Sequence, residues 1–292
     1  MLKVSQTKKQ GLNEILIFEI MPFMNTSAIV PETILLPSRF LQRNVKIDLY
    51  LPYLSDMTGQ LHLLLINDGQ NLEELGLRQV LEHLYIKQNI QPMLCVGIHA
   101  GTERKMEYGV ASQPDYSGRG ARADLYTSFI LEELLAMLHL KYREFSFAEK
   151  AFAGFSLGGL SALDIVLNHP DQFNKAGVFS GSFWWRSLNQ DDPDYRDDKH
   201  RIMQQQVRNG KYVPGLKFFF QCGNKDETKD RNGNGIIDSV DDTLDIIKEL
   251  TQKGYDINRD IKYIEMKEGR HDITTWAQAM PLFLEWGWGN ES

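Results

Sequence analysis

The sequence predicts an α/β fold built on a mostly parallel, doubly wound sheet, and three observations lead there. From Leu61 onward, short continuous apolar runs alternate with segments of helical period. Each run has the length of a strand but no polar face, as expected of strands covered by helices on both sides. The stretch before it has another texture, with Val45, Ile47, Leu49 and Leu51 alternating with Lys46, Asp48 and Tyr50. That period of two marks half-exposed antiparallel strands at one edge. No linker-like tract or repeat divides the 292 residues, and a 42% hydrophobic share suffices for one large core. The prediction is therefore a single domain with an antiparallel edge region over about 12–52.

The elements follow in order. Edge strands are predicted at Asn13–Ile20, Glu32–Leu36 and Val45–Leu51. The run LHLLLI precedes a helix over Leu72–Tyr85, MLCVGI precedes one over Leu125–Leu140, and KAFAGF precedes one over Leu157–Asn168. KAGVFS follows, then GLKFFFQC with a helix over Asp241–Gln252, and IKYIEM with a helix over Thr274–Trp286. Ligands of such sheets bind beyond the carboxyl ends of the strands, so candidate site residues are sought just after each run.

Composition narrows the partners. A formal net charge of -7 without clustered Lys or Arg disfavours nucleic acid. Cys95 and Cys222 both sit inside apolar runs and read as buried thiols, not as a disulfide. No apolar stretch is long enough to span a bilayer, because Glu14, Glu19 and Pro22 interrupt the one near the N-terminus. A cytoplasmic protein acting on a small molecule is expected.

The nucleophile candidate is Ser156. The segment Gly154-Phe155-Ser156-Leu157-Gly158 is a G-x-S-x-G set between an apolar strand and a helix. A bare pattern of this kind is weak evidence, but a nucleophile elbow needs strand, tight turn and helix in that order. The glycines remove side chains where the elbow is crowded. The N-terminus of the following helix, with the N–H of Leu157, is placed to stabilise an oxyanion.

Among seven histidines, His271 is the candidate base: it follows the last strand and the turn Glu268-Gly269-Arg270. His99 also follows a strand, but the chain order Ser, acid, His selects His271. The acid should follow the run ending at Cys222, where Asp226 is the first choice and Glu227 the second. A second oxyanion donor is expected from the loop Asn67-Asp68-Gly69-Gln70, through the N–H of Gln70.

A calcium loop is predicted beside the acid. Residues 230–241 place Asp230, Asn232, Asn234, Asp238 and Asp241 at positions one, three, five, nine and twelve, with Gly235 at six and the carbonyl of Ile236 at seven. Asp241 stands where Glu is usual, as in dockerin loops. The ion would be structural, and no redox or nucleotide cofactor is expected.

Taken together, AGFSLGGLSA, NDGQ, CGNKDE and EGRHDITTWAQAM resemble the putative-esterase family of α/β-hydrolases, over about Val45 to Trp286. Arg104, Glu107 and Tyr108, and the SGSFWW at Ser180–Trp185, resemble its enterochelin-esterase-like and feruloyl-esterase-like branch. The resemblance implies ester hydrolysis through an acyl-enzyme and supports Asp226 as the triad acid. The substrate class it implies is a siderophore, aryl or sugar-linked ester. An acyltransferase with the same triad and a calcium-stabilised binding module without activity are the alternatives. Tyr116, Trp184, Trp185 and Trp276 are candidates for an aromatic substrate wall, with Arg104 or Arg119 meeting an anionic group. The acidic stretch Asp191–His200 reads as part of a lid.

Overall fold

The computed structural model describes residues 29–52 and 59–290. Its sheet has eight strands in the order β1-β2-β4-β3-β5-β6-β7-β8. They span Glu32–Ser38 (β1), Arg43–Tyr50 (β2), Gly59–Asn67 (β3), Met93–Ile98 (β4), Phe145–Phe155 (β5), Lys175–Phe179 (β6), Lys217–Gly223 (β7) and Ile261–Met266 (β8). β1 pairs antiparallel with β2 and β2 with β4, while every pair from β4 to β8 is parallel. The mixed edge and the parallel body are as the two hydrophobic textures predicted. The expected strand Asn13–Ile20 lies outside the described residues.

Alternation along the central strands sends side chains to both faces. Leu63, Leu65, Phe152, Val178, Phe218 and Phe220 pack under the helices Leu157–Asn168, Ile202–Asn209 and Asp238–Lys253. Leu64, Ile66, Ala153, Phe179 and Phe219 pack under Leu77–Ile86 and Ile273–Trp288. A strand such as FFF at 218–220 is apolar throughout because both of its faces are covered. Cys95 and Cys222 are buried in β4 and β7. Among the described residues no helix is long and apolar enough to cross a membrane.

Several boundaries differ from expectation for local reasons. The helix expected over Leu72–Tyr85 is broken at Gly76, whose φ of 75° ends one short helix and begins the next. The helix expected from Asp241 begins at Asp238. The helix Ile202–Asn209 was not foreseen; its sequence IMQQQVRN buries Ile202, Met203, Gln204 and Val207, and the glutamines mask the apolar stripe. Within the expected lid, Asp197–His200 forms a helical turn, and Asp197 pairs with Arg231 at 3.1 Å.

Candidate active site

The elbow is built by close backbone approach. Ser156 lies between β5 and the helix Leu157–Asn168, with φ 55° and ψ -120°, a conformation that L side chains rarely adopt. Its N–H donates to Phe179 O of β6 at 2.9 Å, which pins the turn to the neighbouring strand. A Cβ on Gly154 would stand 2.4 Å from the carbonyl of Gly158, and a Cβ on Gly159 would stand 2.9 Å from Gly154 O. Those positions must therefore be glycine for the helix to start where it does. Leu157 opens the helix, so its N–H belongs to the unpaired first turn beside Ser156.

Two further turns meet at the same edge. Asn224 N–H donates to Met266 O at 3.1 Å and Lys225 N–H to Gly269 O at 2.8 Å, which ties the turn after β7 to the turn after β8. Gly223 and Gly269 touch there; a Cβ on Gly223 would meet Gly269 at 2.4 Å. Asp226 and His271 are carried on these two joined turns. With Ser156 they line one cavity of about 330 Å³, together with Lys105, Arg119, Leu157, Ser180, Ser182, Trp184 and Glu227.

The three side chains share the cavity without being hydrogen-bonded to one another. The Ser156 hydroxyl faces that of Ser182 at 3.3 Å. Both carboxylate oxygens of Asp226 are buried without a hydrogen-bond partner, an expensive state for a group with several acceptor sites. Burial holds the Asp226 carboxyl above its ordinary range, against the lowering effects of the Ser180 hydroxyl and of His271. Desolvation likewise lowers the His271 imidazole; Asp226 opposes this, and Arg104 reinforces it. Glu227 lines the same cavity, its carboxyl raised by burial and by Asp238. His99 is elsewhere, paired with Asp48 of β2.

Arg104, expected to meet an anionic group of the substrate, is not among the residues lining the cavity. Its guanidinium holds both oxygens of Asp68, at 2.6 and 2.7 Å. Of the neighbouring motif residues, Tyr108 OH accepts the Asp68 N–H at 3.2 Å, whereas Glu107 holds Arg43 of β2. Gln70 is fixed by its side chain, which donates to Asp68 Oδ1 at 3.0 Å and accepts from Ala100 N–H at 3.0 Å. Gln70 is not among the residues lining the cavity.

The expected aromatic wall is smaller than four residues. Trp184 lines the cavity, with the Arg119 guanidinium 4.6 Å from its ring centroid. Tyr116 is exposed, and Arg119 lies 5.8 Å from its ring. Trp185 is wholly buried against Gly109 and Gly120, which leaves it no surface for a ligand. Trp276 is 7% exposed and donates its indole N–H to Ser180 Oγ at 3.0 Å. Ser180, Ser182 and Lys105 also line the cavity without having been expected there, although Ser180 follows β6 directly and the strand-end rule marks that position.

In the 230–241 loop, Asp230 accepts the backbone N–H groups of Gly233, Asn234 and Gly235 at 2.8 to 3.2 Å. Asn232 and Asn234 lean on Asp241 at 2.8 and 3.4 Å, so four of the predicted side-chain donors converge. Asp238 differs: its carboxylate accepts from the Arg231 N–H at 2.8 Å and lies 3.4 Å from the Arg231 guanidinium. Two carboxylates, two amides and the Ile236 carbonyl are oxygen donors of the type calcium takes. Among the described residues no group of three or more His, Cys, Asp or Glu is arranged to hold a metal.

A strand–turn–helix elbow at the carboxyl edge of a mostly parallel eight-stranded sheet is the architecture of the α/β hydrolases. The chain belongs to the family described as "Putative esterase", which matches residues 38–285. The uncharacterized protein YbbA of Bacillus subtilis (strain 168) is 27% identical over 151 residues, 49% of this chain and 59% of that one. The siderophore triacetylfusarinine C esterase of Aspergillus fumigatus is 33% identical over 66 residues, 23% of each chain. Among solved structures, the enterobactin esterase of Shigella flexneri superposes with a TM-score of 0.66 at 19% identity, over 88% of this chain and 58% of that one. The chain thus spans under two thirds of the length of YbbA and of the Shigella enzyme, and the structural likeness is one of fold.

Proposed function

We propose that the protein is a serine carboxylic-ester hydrolase, with Ser156 as nucleophile, His271 as general base and Asp226 as the carboxylate that orients it. One observation carries this: a serine at a strained elbow shares a cavity with a histidine and with a buried carboxylate. His271, which interacts with it by charge, is the group whose N–H would satisfy that carboxylate.

Ser156 Oγ attacks the ester carbonyl carbon while His271 takes its proton. The oxyanion is stabilised by the N–H of Leu157, which lines the cavity, and the N–H of Gln70, outside that lining, is the candidate second donor. Collapse expels the alcohol, which takes the proton from His271, and leaves the acyl group on Ser156. Water then attacks the acyl-enzyme, its proton passing to His271, and the carboxylic acid departs as Ser156 is restored. The substrate class is a siderophore, aryl or sugar-linked ester. Kinship with a siderophore esterase and a fold shared with an enterobactin esterase favour the first of these. Lys105, Arg119 and Trp184 suit an anionic aryl group.

Ser156→Ala should abolish hydrolysis of p-nitrophenyl butyrate with an unchanged circular dichroism spectrum, and a fluorophosphonate should label Ser156 alone. Unchanged turnover in the variant rejects the assignment. We also propose that the 230–241 loop binds calcium through Asp230, Asn232, Asn234, Asp241 and the Ile236 carbonyl, as a brace between the turn carrying Asp226 and the helix Asp238–Lys253.

A further inference from the structure

Trp276 stands where two members of the proposed triad are held. Its indole lies edge-on to His271, with ring centroids 5.3 Å apart and planes at 79°. On its other side it stacks on Phe155, the residue before the nucleophile, at 5.0 Å. Its N–H donates to Ser180 Oγ at 3.0 Å. Ser180 is 1% exposed and has a φ of 48°, a strained setting for a non-glycine residue. The Ser180 N–H is in turn bonded to Gln221 O of β7 at 2.7 Å, so the residue is fixed at both ends.

A hydroxyl that accepts a hydrogen bond from an indole, which can only donate, is left with its own proton to give. Asp226 lines the same cavity as Ser180, and both of its carboxylate oxygens are buried and open to a donor. We propose that Trp276 and Ser180 are positioning residues: the indole N–H fixes the Ser180 hydroxyl so that it donates to the Asp226 carboxylate and holds it aimed at His271. Neither residue exchanges a proton or a bond with the ester. This rests on the triad assignment above and adds a polar support behind the acid. It also gives the strain at Ser180 a role, since the left-handed turn is what sets Oγ between indole and carboxylate.

The sign of the effect follows from charge. Without the hydroxyl donor the Asp226 carboxylate is less stabilised and attracts the imidazolium proton more strongly, so the apparent pKa of the base rises. With p-nitrophenyl butyrate, Ser180→Ala and Trp276→Phe should each lower kcat by about ten- to a hundredfold with KM nearly unchanged. Both should move the acid limb of kcat/KM to higher pH. Phenylalanine keeps an aromatic ring for His271 and Phe155 and removes the donor.

The double variant should be no worse than Ser180→Ala alone, because the indole acts through the hydroxyl. Ser180→Gly suits the left-handed backbone and replaces Ser180→Ala should the latter fail to fold. An unmoved acid limb, additive losses, or a raised KM with normal kcat in Trp276→Phe would each overturn the proposal. A parallel Ser156→Ala control separates the two failures. If it retains turnover, the triad assignment falls and takes this proposal with it; if it is inactive while the limb stays fixed, this proposal alone falls.

Discussion

Arg104 grips Asp68 through two parallel contacts, Nε to Oδ1 at 2.6 Å and Nη2 to Oδ2 at 2.7 Å, with the carboxylate 1% exposed and its residue in the left-handed region at φ 60°. The pair braces the loop that carries Gln70. It also bears on the elbow, because a Cβ on Gly158 would lie 2.8 Å from Asp68 Oδ2. Removing the guanidinium leaves a buried carboxylate unpaired. Arg104→Ala should therefore cost about 3–5 kcal/mol of stability in urea denaturation. Arg104→Lys should recover part of this, since it restores the charge without the fork. Were Arg104 a substrate contact instead, Arg104→Ala would raise KM and leave the unfolding midpoint in place.

The sequence left two adjacent carboxylates as candidates for the acid, and both line the cavity. Asp226 interacts with His271 and with the Ser180 hydroxyl, whereas Glu227 interacts with Asp238 and Asp242. Asp226→Asn should lower kcat by about 10³- to 10⁴-fold, because the amide no longer supports the imidazolium. Glu227→Gln should retain kcat within a few-fold. Steady-state kinetics of the two variants decide between them, and the reverse ranking would move the acid to Glu227.

The difference between what was legible and what was not has a physical basis. The strand Met93–Ile98 was delimited to the residue, because burial on both faces leaves a signature in composition alone. The elbow at Ser156 was legible because backbone crowding demands glycine at fixed offsets. Partnerships between distant side chains leave no such trace. Arg104, Trp185 and Trp276 have the residue types of a binding wall, yet their partners are Asp68, Gly109 with Gly120, and Ser180, each set by packing. Asp238 fits the calcium spacing, but Arg231, the second residue of the loop, takes up its carboxylate.

The pH profile should reflect the burial of His271. A base must be neutral to accept the serine proton, and desolvation holds this imidazole below its ordinary value of about 6.5. The acid limb of kcat/KM should therefore inflect below pH 6.5, and activity should persist at pH 6. Arg104 contributes to the lowering, so Arg104→Ala should shift the limb upward. The same displacement affects stability: the folded state disfavours imidazolium, so this contribution is complete above about pH 6.5 and is lost as pH falls through the lower folded value. An acid limb above 7 would contradict the assignment of His271 as the titrating base.

Trp184 and Arg119 should act on binding. The guanidinium is stacked on the indole at 4.6 Å, and both line the cavity. Trp184→Ala should raise KM for aryl esters by about tenfold, the worth of a desolvated aromatic contact, with kcat changed little. Arg119→Ala should do so selectively for anionic aryl esters. Equal losses on neutral and anionic substrates would assign Arg119 to support of Trp184 alone.

Calcium should stabilise the fold through the 230–241 loop. Only two carboxylates, Asp230 and Asp241, converge there with the amides of Asn232 and Asn234, so affinity should be modest, since it rises with ligand charge. Arg231 links the loop to Asp197 and Asp242, and the loop leads directly into the helix Asp238–Lys253. An ion that binds only the folded state adds RT ln(1 + [L]/Kd), about 2.7 kcal/mol at a hundredfold excess over Kd. Calcium should therefore raise the melting temperature in a dose-dependent way that magnesium does not reproduce, because magnesium demands near-octahedral geometry and sheds water reluctantly. Asp230→Ala removes the first ligand and the acceptor for Gly233, Asn234 and Gly235, so it should abolish the calcium response and also lower the calcium-free melting point. Asp241→Asn keeps the turn and removes one charge, so it should weaken the response alone. A melting curve indifferent to calcium in the unaltered protein would eliminate the ion.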